Sequence, residues 1–460
     1  MAFFDLTEGR VSTQLTRMTL PFFLGMSSMI LASMVETVYI GMLGAQELAA
    51  YSFMFPVMMA LTSVSMGVGV GASSLIARAQ GAGDQQRVRV ITTHTAVLTI
   101  ALTAMLSLAT LPALTWLFGL IGAKGEVLDL VVAFSVVWIP GLVTFTLPMV
   151  SSTVLRALGI AKEPGYVMTV TSGMQLIISP VLIFGLFGLP AQGLVGSAQA
   201  FIIVGLLRLV ALGYLVARER LLIPADAFKG LISSSRAIMH IAFPAMLSSL
   251  IGPVSMAVTI ALLAAHSDAV VAAFGIVSRV EMLVTMILGA LASSVAPFVG
   301  QNWGARKIDR IHEGLSLSNG FCLGWGVVCF AVLAPLGSDL VDLINSEPEL
   351  VEAASWFFLI VPLGFGLMGV GQIYSSLFIA LGKPIPPTLL SVLRTVVIYV
   401  PMALLFDHFW GYIGIFVALL LSNLLFGVAA WAWGRYMFRT EVAHTRIRYP
   451  RNSAAVSETN

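Results

Sequence analysis

The chain has 460 residues, of which 58% are hydrophobic and only 10% are charged, and its formal net charge is +2. Soluble globular proteins carry a charge on about a quarter of their residues, so this composition excludes a soluble domain. Repeated apolar runs of about 20 residues predict a polytopic helical membrane protein instead.

Twelve apolar segments follow one another along the chain, each long enough to cross a bilayer as a helix. They cover approximately residues 16–43, 47–77, 91–120, 128–157, 165–188, 192–216, 238–265, 269–301, 314–336, 349–380, 386–406 and 411–436. The connections are short, apart from a basic stretch in the middle of the chain. We therefore expect four parts: an amino-terminal bundle at 1–216, a cytoplasmic linker at 217–237, a carboxyl-terminal bundle at 238–440 and a disordered cytoplasmic tail at 441–460.

The basic residues are strongly biased to one side of the expected membrane. All but four of the 24 Lys and Arg residues fall on one face; the exceptions are Lys124 on the other face and Arg208, Arg279 and Arg394 within segments. The positive-inside rule assigns the basic face to the cytoplasm. Both termini are then cytoplasmic, the number of crossings is even, and we expect a bacterial inner membrane as the location.

The two halves of the chain repeat one another at a constant offset of 223 residues (Pro21 to Pro244). Further pairs at this offset are Gly81 and Gly304, Arg87 and Arg310, and Pro164 and Pro387. Each half holds six segments, so both halves enter the membrane in the same direction. This predicts an all-α integral membrane protein of twelve helices, in two six-helix bundles related by a pseudo-two-fold axis along the membrane normal. Transporters of this kind place the substrate site between the bundles and rock one bundle against the other.

One carboxylate, Glu36, interrupts the first apolar segment. Placing a carboxylate inside the bilayer costs roughly 2.5 kcal/mol or more, so such residues usually face a protein interior or a cavity. Ser33 and Tyr39 share its helix face at i−3 and i+3. Because burial disfavours the charged form of a carboxyl, Glu36 is a candidate to take up a proton on one side and release it on the other. A glutamate that extends from the helix end to the interface is the alternative.

The fifth segment has its own polar stripe. It consists of Thr171, Ser172, Gln175 and Ser179. Together with the stripe around Glu36, it is expected to line a small polar cavity in the amino-terminal bundle. Hydrogen bonding between helices, which such side chains often provide in membranes, explains the stripe equally well.

The carboxyl-terminal half does not repeat the carboxylate. Thr259 stands at the position that corresponds to Glu36, with Ser255 on the same helix face. This half instead carries Arg279 and Glu281, which are two residues apart and therefore point in different directions on a helix.

For Arg279 and Glu281, an ion pair with a neighbouring helix is favoured over a role in substrate binding or coupling, and Arg394 is a candidate partner. Gln372, on a later segment, either faces the central cleft or forms a hydrogen bond in the core; both interpretations are equally good.

The sequence resembles the multidrug and toxic compound extrusion (MATE) family over essentially its whole length. In the first half the resemblance rests on LPFFLGMSSMILASMVETVYIGMLG, MGVGVGASSLIARAQGAGD and RALGIAKEP. In the second half it rests on ALGKPIPP and on FGIVSRVEMLVTMILGALASSVAPFVGQNWGA, which is most similar to the DinF-like branch. The resemblance implies an antiporter for multidrug efflux that exports small amphipathic, often cationic compounds and is driven by inward proton or sodium flow. It also implies a monomer in the lipid bilayer that needs no cofactor and binds no nucleic acid.

The chain departs from the family pattern at the expected ion site. Glu36 stands where the family commonly has Asp. The Asn-x-x-x-Asp-Pro motif that is typical of the DinF-like branch is matched here by Gln175, Ser179 and Pro180, so a second carboxylate is missing. A single carboxylate favours protons over sodium, although a sodium ion at Glu36 is the alternative.

Other functional classes fit the sequence less well. It contains no His/Cys metal cluster, no Ser-His-Asp arrangement and no ATP-binding motif, so we expect neither an enzyme nor a primary pump. A flippase for lipid-linked oligosaccharides, in the same superfamily, needs several basic residues in its cavity, and only three arginines lie within segments. An exporter dedicated to one endogenous metabolite is a further alternative, and the repeat disfavours a scaffold or receptor.

Overall fold

The structure is a computed structural model that describes residues 5–223, 228–343 and 346–448. Within these residues, eleven helices are long and apolar enough to cross a membrane, and one further pair of helices, bent by 41° at its break, forms a twelfth span. The twelve predicted crossings and the all-α membrane fold in two bundles are confirmed.

The amino-terminal bundle consists of α1 (Val11–Gly41), α2 (Ala45–Gly81), α3 (Gln85–Leu120), α4 (Gly125–Trp138 and Pro140–Ala157), α5 (Lys162–Phe184) and α6 (Gly193–Arg218). The carboxyl-terminal bundle consists of α7 (Leu231–Leu263), α8 (Asp268–Gly304), α9 (Ile308–Asp342), α10 (Pro348–Ala380), α11 (Ile385–Trp410) and α12 (Tyr412–Arg448). The membrane face at which α1 begins and α12 ends is called the terminal face below.

Two boundaries differ from those expected. Residues 441–448 belong to α12 and are helical, whereas a disordered tail was expected from residue 441; residues 449–460 lie outside the described part of the chain. The helix α7 begins at Leu231, inside the segment 217–237 that was expected to be a linker. Amphipathic helix ends extend beyond the apolar core of a span, so hydropathy alone sets these boundaries too short.

Four spans have breaks in regular α-helical structure, the first being α3, which contains the 3₁₀ turn Leu111–Ala113. Proline lacks a backbone N–H, which explains the bend of α4 at Pro140 and the 3₁₀ turn Val361–Gly364 that contains Pro362 in α10. In α11, residues Leu393–Tyr399 form a π-helix. Segments of this type occur often at functional sites.

The bundles meet most closely where α2 crosses α8, near the terminal face. A Cβ atom on Gly81 would overlap the carbonyl oxygen of Gln301, and one on Gly304 would overlap that of Arg78. Gly81 and Gly304 are related by the 223-residue offset, so each of the two helices places a glycine at the crossing. Only glycine allows two helix backbones to approach this closely.

Hydrogen bonds at this crossing follow the same pseudo-symmetry. The Gln301 amide of α8 donates to the carbonyl of Ala157 at the end of α4, at 2.8 Å. At the related position, Arg78 of α2 donates to the carbonyl of Leu381, just beyond the end of α10, at 3.3 Å. Each bundle therefore satisfies free carbonyl groups at a helix end of the other bundle.

The segment before α1, residues 5–9, is bound to the opposite bundle. The Leu6 amide donates to Gln301 Oε1 at 3.1 Å, and Asn302 donates to the Leu6 carbonyl at 3.2 Å. Lys307 donates to the Thr7 carbonyl at 2.9 Å. Arg310 donates to the Gly9 carbonyl at 2.7 Å. These bonds hold the start of the first bundle against the second.

All of these contacts between the bundles lie in the terminal halves of the central helices. In the other halves of α1, α2, α7 and α8, large apolar side chains are exposed, among them Val38, Phe55, Val254 and Met282. The contacts described above therefore close the two bundles against one another at the terminal face.

The close crossing of α2 and α8 predicts that a methyl group added at Gly304 destabilises the protein. Gly304→Ala places that methyl against the Arg78 carbonyl. Over-packing of this kind costs about 1–3 kcal/mol, so the thermal unfolding midpoint of the purified protein should fall by several degrees. The matched control is Gly320→Ala on α9, where a Cβ meets open space; its midpoint should stay the same or rise slightly. Equal midpoints for the two variants would contradict the backbone contact.

Candidate functional site

The carboxylate of Glu36 is buried in the amino-terminal bundle, with 5% of the residue exposed. Its Oε2 accepts hydrogen bonds from the Ser179 hydroxyl at 2.6 Å and from the Gln175 amide at 3.2 Å. Its Oε1 accepts one from the Ser197 hydroxyl at 2.5 Å. Gln175 also donates to Ser179 at 2.9 Å. Three donors from α5 and α6 thus surround one carboxylate of α1.

Glycines bring the three helices close enough for these bonds. A Cβ on Gly165 of α5 would lie 2.5 Å from the Pro21 carbonyl oxygen of α1. A Cβ on Gly196 of α6 would lie 2.7 Å from the Leu182 carbonyl oxygen of α5. Gly196 directly precedes Ser197, so this close approach places the Ser197 hydroxyl beside Glu36.

Pro180 explains a further contact between α1 and α5. Because proline has no N–H, it cannot donate to the carbonyl of Leu176 four residues earlier. That carbonyl accepts a hydrogen bond from the Tyr39 hydroxyl of α1 at 3.3 Å instead. The Tyr39 ring also packs edge-on against Phe184, with 6.3 Å between the ring centroids. Tyr39 therefore attaches the second half of α1 to α5.

The site can accommodate the carboxyl group in both protonation states. In the ionised form, the carboxylate accepts hydrogen bonds from all three donors. When the carboxyl is protonated, one of its oxygens becomes a donor, and the hydroxyl of Ser179 or Ser197 can rotate to accept. This exchange needs no movement of the backbone.

The structure brings together only part of the predicted stripe. Gln175 and Ser179 contact Glu36 directly. Ser33 is exposed, and among the described residues its side chain has no bond to Glu36. Thr171 instead accepts a hydrogen bond from Arg208 of α6 at 3.1 Å. The hydroxyl of Ser172 is buried and has no hydrogen-bond partner within the described chain.

Sequence reasoning missed Ser197 and the position of Arg208. Ser197 is the one hydroxyl residue in the stretch GLVGSAQA of the sixth segment, where Gln199 is the other polar residue, and this is the signal that could have pointed to it. Arg208 was noted as an arginine within a segment, but nothing in the sequence connects it to Thr171. Both contacts depend on how α6 packs against α5.

The corresponding region of the carboxyl-terminal bundle has no carboxylate. Thr259 shares a hydrogen bond with the hydroxyl of Tyr399 at 2.5 Å, and Tyr399 ends the π-helix of α11. Thr259 also donates to the Ser255 carbonyl at 2.9 Å. This neutral pair occupies the place that Glu36 and its donors occupy in the first bundle.

The charged residues of the second bundle lie apart from this pair. Glu281 and Arg394 interact electrostatically, but the described residues show no direct ion pair between them. Arg394 lies over the ring of Phe426 at 5.3 Å. Arg279 is exposed. Gln372 faces α8, where its Oε1 would lie 3.8 Å from a Cβ on Gly289.

Comparison with known proteins identifies relatives over nearly the whole chain. The family model described as MatE matches residues 21–181 and 244–405, one segment in each bundle. The chain is 33% identical over 430 residues to a protein of Shewanella oneidensis named FAD transporter, which covers 93% of this chain and 95% of that one. It is 24% identical over 420 residues to the multidrug export protein MepA of Staphylococcus aureus, with coverages of 90% and 91%.

A solved structure has the same fold. The MATE transporter VcmN of Vibrio cholerae, in its bent form, superposes with a TM-score of 0.90 at 29% sequence identity, over 94% of this chain and 98% of that one.

The hydrogen bond between Ser197 and Glu36 predicts that removing the Ser197 hydroxyl is more harmful than changing the side chain while keeping the hydroxyl. A hydrogen bond to a charged group is worth about 1.5–3 kcal/mol, so Ser197→Ala should slow transport roughly tenfold or more if the carboxylate takes part in it. Ser197→Thr keeps the hydroxyl and should retain most of the activity. Efflux is measured in membrane vesicles at equal protein level. Equal loss in both variants would indicate a packing role for Ser197 rather than a bond to the carboxylate.

Proposed function

Because the chain belongs to the MatE family of membrane transporters, we propose that it is a secondary active exporter in which Glu36 couples cargo export to inward proton movement. The observation that carries this proposal is the hydrogen-bonded cluster of Glu36, Gln175, Ser179 and Ser197, buried inside the bundle. A lone carboxylate in this setting changes charge when it binds or releases one proton, and no other described carboxylate lies beside it.

The chemistry of the cluster supports protons over sodium. Two hydroxyl groups and an amide already donate to the carboxylate oxygens, so a cation would have to displace or turn these donors. Only one carboxylate is present to offset the cost of removing water from the ion. Sodium bound by the oxygens of Glu36, Ser179 and Ser197 is the competing arrangement, and the gradient experiment below separates the two.

The helix α1 offers a physical link between the ion site and the closed terminal face. Its second half carries Glu36 and Tyr39, which bind α5 and α6. Its start follows residues 5–9, which bind the carboxyl-terminal bundle through Lys307 and Arg310. A proton on Glu36 weakens the bonds in the second half of α1 and so changes the balance between alternative packings of the bundles. With cytoplasmic termini, as the basic residues favour, the closed terminal face is the cytoplasmic one.

The exposed surface of the central helices supports amphipathic cargo. Methionines are exposed in the halves of α1, α2, α7 and α8 that are remote from the terminal face; they are Met34, Met59, Met256 and Met282. Methionine is flexible and polarizable, so it adapts to ligands of different shape. This surface suits the low specificity of multidrug exporters such as MepA.

A flavin dinucleotide is the second candidate cargo. The relative with 33% identity is named for FAD transport. Arg279 of α8 is an exposed arginine inside a span. A guanidinium group at this position favours an anionic cargo that carries phosphate groups, with a flat aromatic ring for the apolar surface.

The role of Glu36 is tested in proteoliposomes with an imposed pH gradient or an imposed sodium gradient. Glu36→Gln keeps the size of the side chain but removes the titrating group, so coupled transport should fall to the level of protein-free vesicles. The control is Glu126→Gln, which removes an exposed carboxylate of the same bundle and should leave transport unchanged. Full coupled transport by Glu36→Gln would contradict the proposal. Transport driven only by the sodium gradient would replace the proton with sodium.

The cargo is tested by exchange of radiolabelled FAD and of ethidium in the same vesicles. If the cargo is a flavin dinucleotide, Arg279→Gln should lower FAD exchange roughly tenfold, the loss expected for one charge-assisted bond of about 1.5 kcal/mol. Ethidium exchange should stay the same or rise. Lys124→Gln, which removes an exposed positive charge outside the spans, is the control. Ethidium exchange without FAD exchange would favour the multidrug role.

A further inference from the structure

A cavity of about 440 Å³ lies in the carboxyl-terminal bundle near the terminal face. The helix α9 contributes His312 and Asn319, α10 contributes Tyr374, and α12 contributes Arg435 and Arg439. None of these residues takes part in the Glu36 site or in the contacts that close the bundles. The cavity therefore needs an explanation of its own.

Two helix faces form its walls. On α12 the lining residues follow the spacing i, i+4, i+7 and i+8; they are Trp431, Arg435, Phe438 and Arg439. On α9 they follow i, i+3, i+4 and i+7; they are His312, Leu315, Ser316 and Asn319. Residues with this spacing share one face of a helix. Two faces with polar and cationic side chains are thus turned towards one another.

The two arginines leave the cavity with unneutralised positive charge. Arg435 lies over the ring of Trp431 at 4.9 Å. Among the described residues, neither Arg435 nor Arg439 has a carboxylate partner. The nearby carboxylate of Glu441 is bound to Lys383 at 2.8 Å. Two guanidinium groups four residues apart on one helix are well suited to a phosphate group.

The base of the cavity offers a hydrogen-bond acceptor. Gly434 leaves room for the ring of Tyr374, which a Cβ atom there would overlap. Asn319 donates from Nδ2 to the Tyr374 hydroxyl at 3.4 Å. The other amide atom, Asn319 Oδ1, is buried and has no partner within the described chain. A buried acceptor of this kind is stabilised by a ligand that brings a hydroxyl group.

The depth of the cavity in the membrane indicates that a phosphate bound there would belong to a lipid headgroup. From Tyr412, where α12 begins, to Trp431 the helix rises roughly 28 Å, which is close to the thickness of the hydrocarbon core. Trp431 is 40% exposed and Tyr436 is 71% exposed, as expected for aromatic residues at the membrane interface. Arg435 and Arg439 therefore lie at the level of the lipid headgroups.

We propose that this cavity binds the headgroup of an anionic glycerophospholipid with a free hydroxyl, such as phosphatidylglycerol. The phosphate lies between Arg435 and Arg439, and the headgroup hydroxyl donates to Asn319 Oδ1. Trp431 packs against the glycerol backbone, and the acyl chains extend along the bundle surface. Basic pockets between membrane helices bind acidic lipids in this way. This site is independent of the proposed transport of protons and cargo.

Native mass spectrometry of the full-length protein, titrated with phosphatidylglycerol or phosphatidylcholine, measures this binding. The wild type should retain phosphatidylglycerol in clear preference to phosphatidylcholine. The double variant Arg435→Gln/Arg439→Gln should weaken phosphatidylglycerol binding at least fivefold. Arg87→Gln/Arg89→Gln, which removes two positive charges from the start of α3 at the same face of the other bundle, should bind as the wild type does. Asn319→Leu should reduce the preference for phosphatidylglycerol, and Arg435→Lys/Arg439→Lys should restore binding in part.

Three results would overturn the proposal. Equal affinity for the two lipids would exclude a site for an anionic headgroup. Equal weakening by both glutamine double variants would indicate attraction by the whole basic surface rather than by the cavity. Displacement of the lipid by millimolar glycerol 3-phosphate or inorganic phosphate, each in detergent solution, would assign the cavity to a soluble anion. If the glutamine variant does not fold, the Asn319→Leu result decides by itself: an unchanged lipid preference contradicts the proposal.

Discussion

A carboxylate inside the bilayer is stable only if its own protein supplies hydrogen-bond donors, and this constraint organises the amino-terminal bundle. Glu36 has three donors, two from α5 and one from α6. To bring the donor of α6 within reach, the backbones of α5 and α6 must nearly touch, which requires Gly196 at their contact. The proline of α5 adds a free carbonyl for Tyr39. The hydrogen bonds of Glu36 and the packing of the helices are thus parts of one arrangement.

The two bundles share their architecture but not their chemistry. At the terminal face the pseudo-symmetry is nearly complete: Gly81 and Gly304 serve the same crossing, and Arg78 and Gln301 each bind carbonyls at a helix end of the other bundle. In the halves of the helices remote from the terminal face the symmetry is lost, because Thr259 replaces Glu36. Closing two similar bundles against one another favours symmetric contacts, whereas Glu36 and its donors belong to one bundle.

The side chains around Glu36 also compensate for one another in length. Glutamate reaches one methylene further than the aspartate that the MATE resemblance implies at this position. Ser179, which stands where the DinF-like motif has Asp, carries a hydroxyl in place of the larger carboxylate, and this hydroxyl lies 2.6 Å from Glu36 Oε2. A longer acid and a shorter partner fill the same gap between α1 and α5. The departure from the family motif therefore keeps a compact polar cluster and removes one charge.

The sequence by itself determined the twelve crossings, the repeat and the special status of Glu36, because hydropathy, a constant offset and the cost of a charge in lipid are properties of the chain alone. It also indicated Gln175 and Ser179, which share a helix face. Only the tertiary structure decided which polar residues meet. Ser197 reaches Glu36 because α6 packs on α5. Thr171 accepts a hydrogen bond from Arg208 instead, and Ser33 is exposed. The cavity of Arg435, Arg439 and Asn319 is likewise invisible in the sequence, since its walls come from helices that are distant in the chain and their contact depends on how the bundle packs.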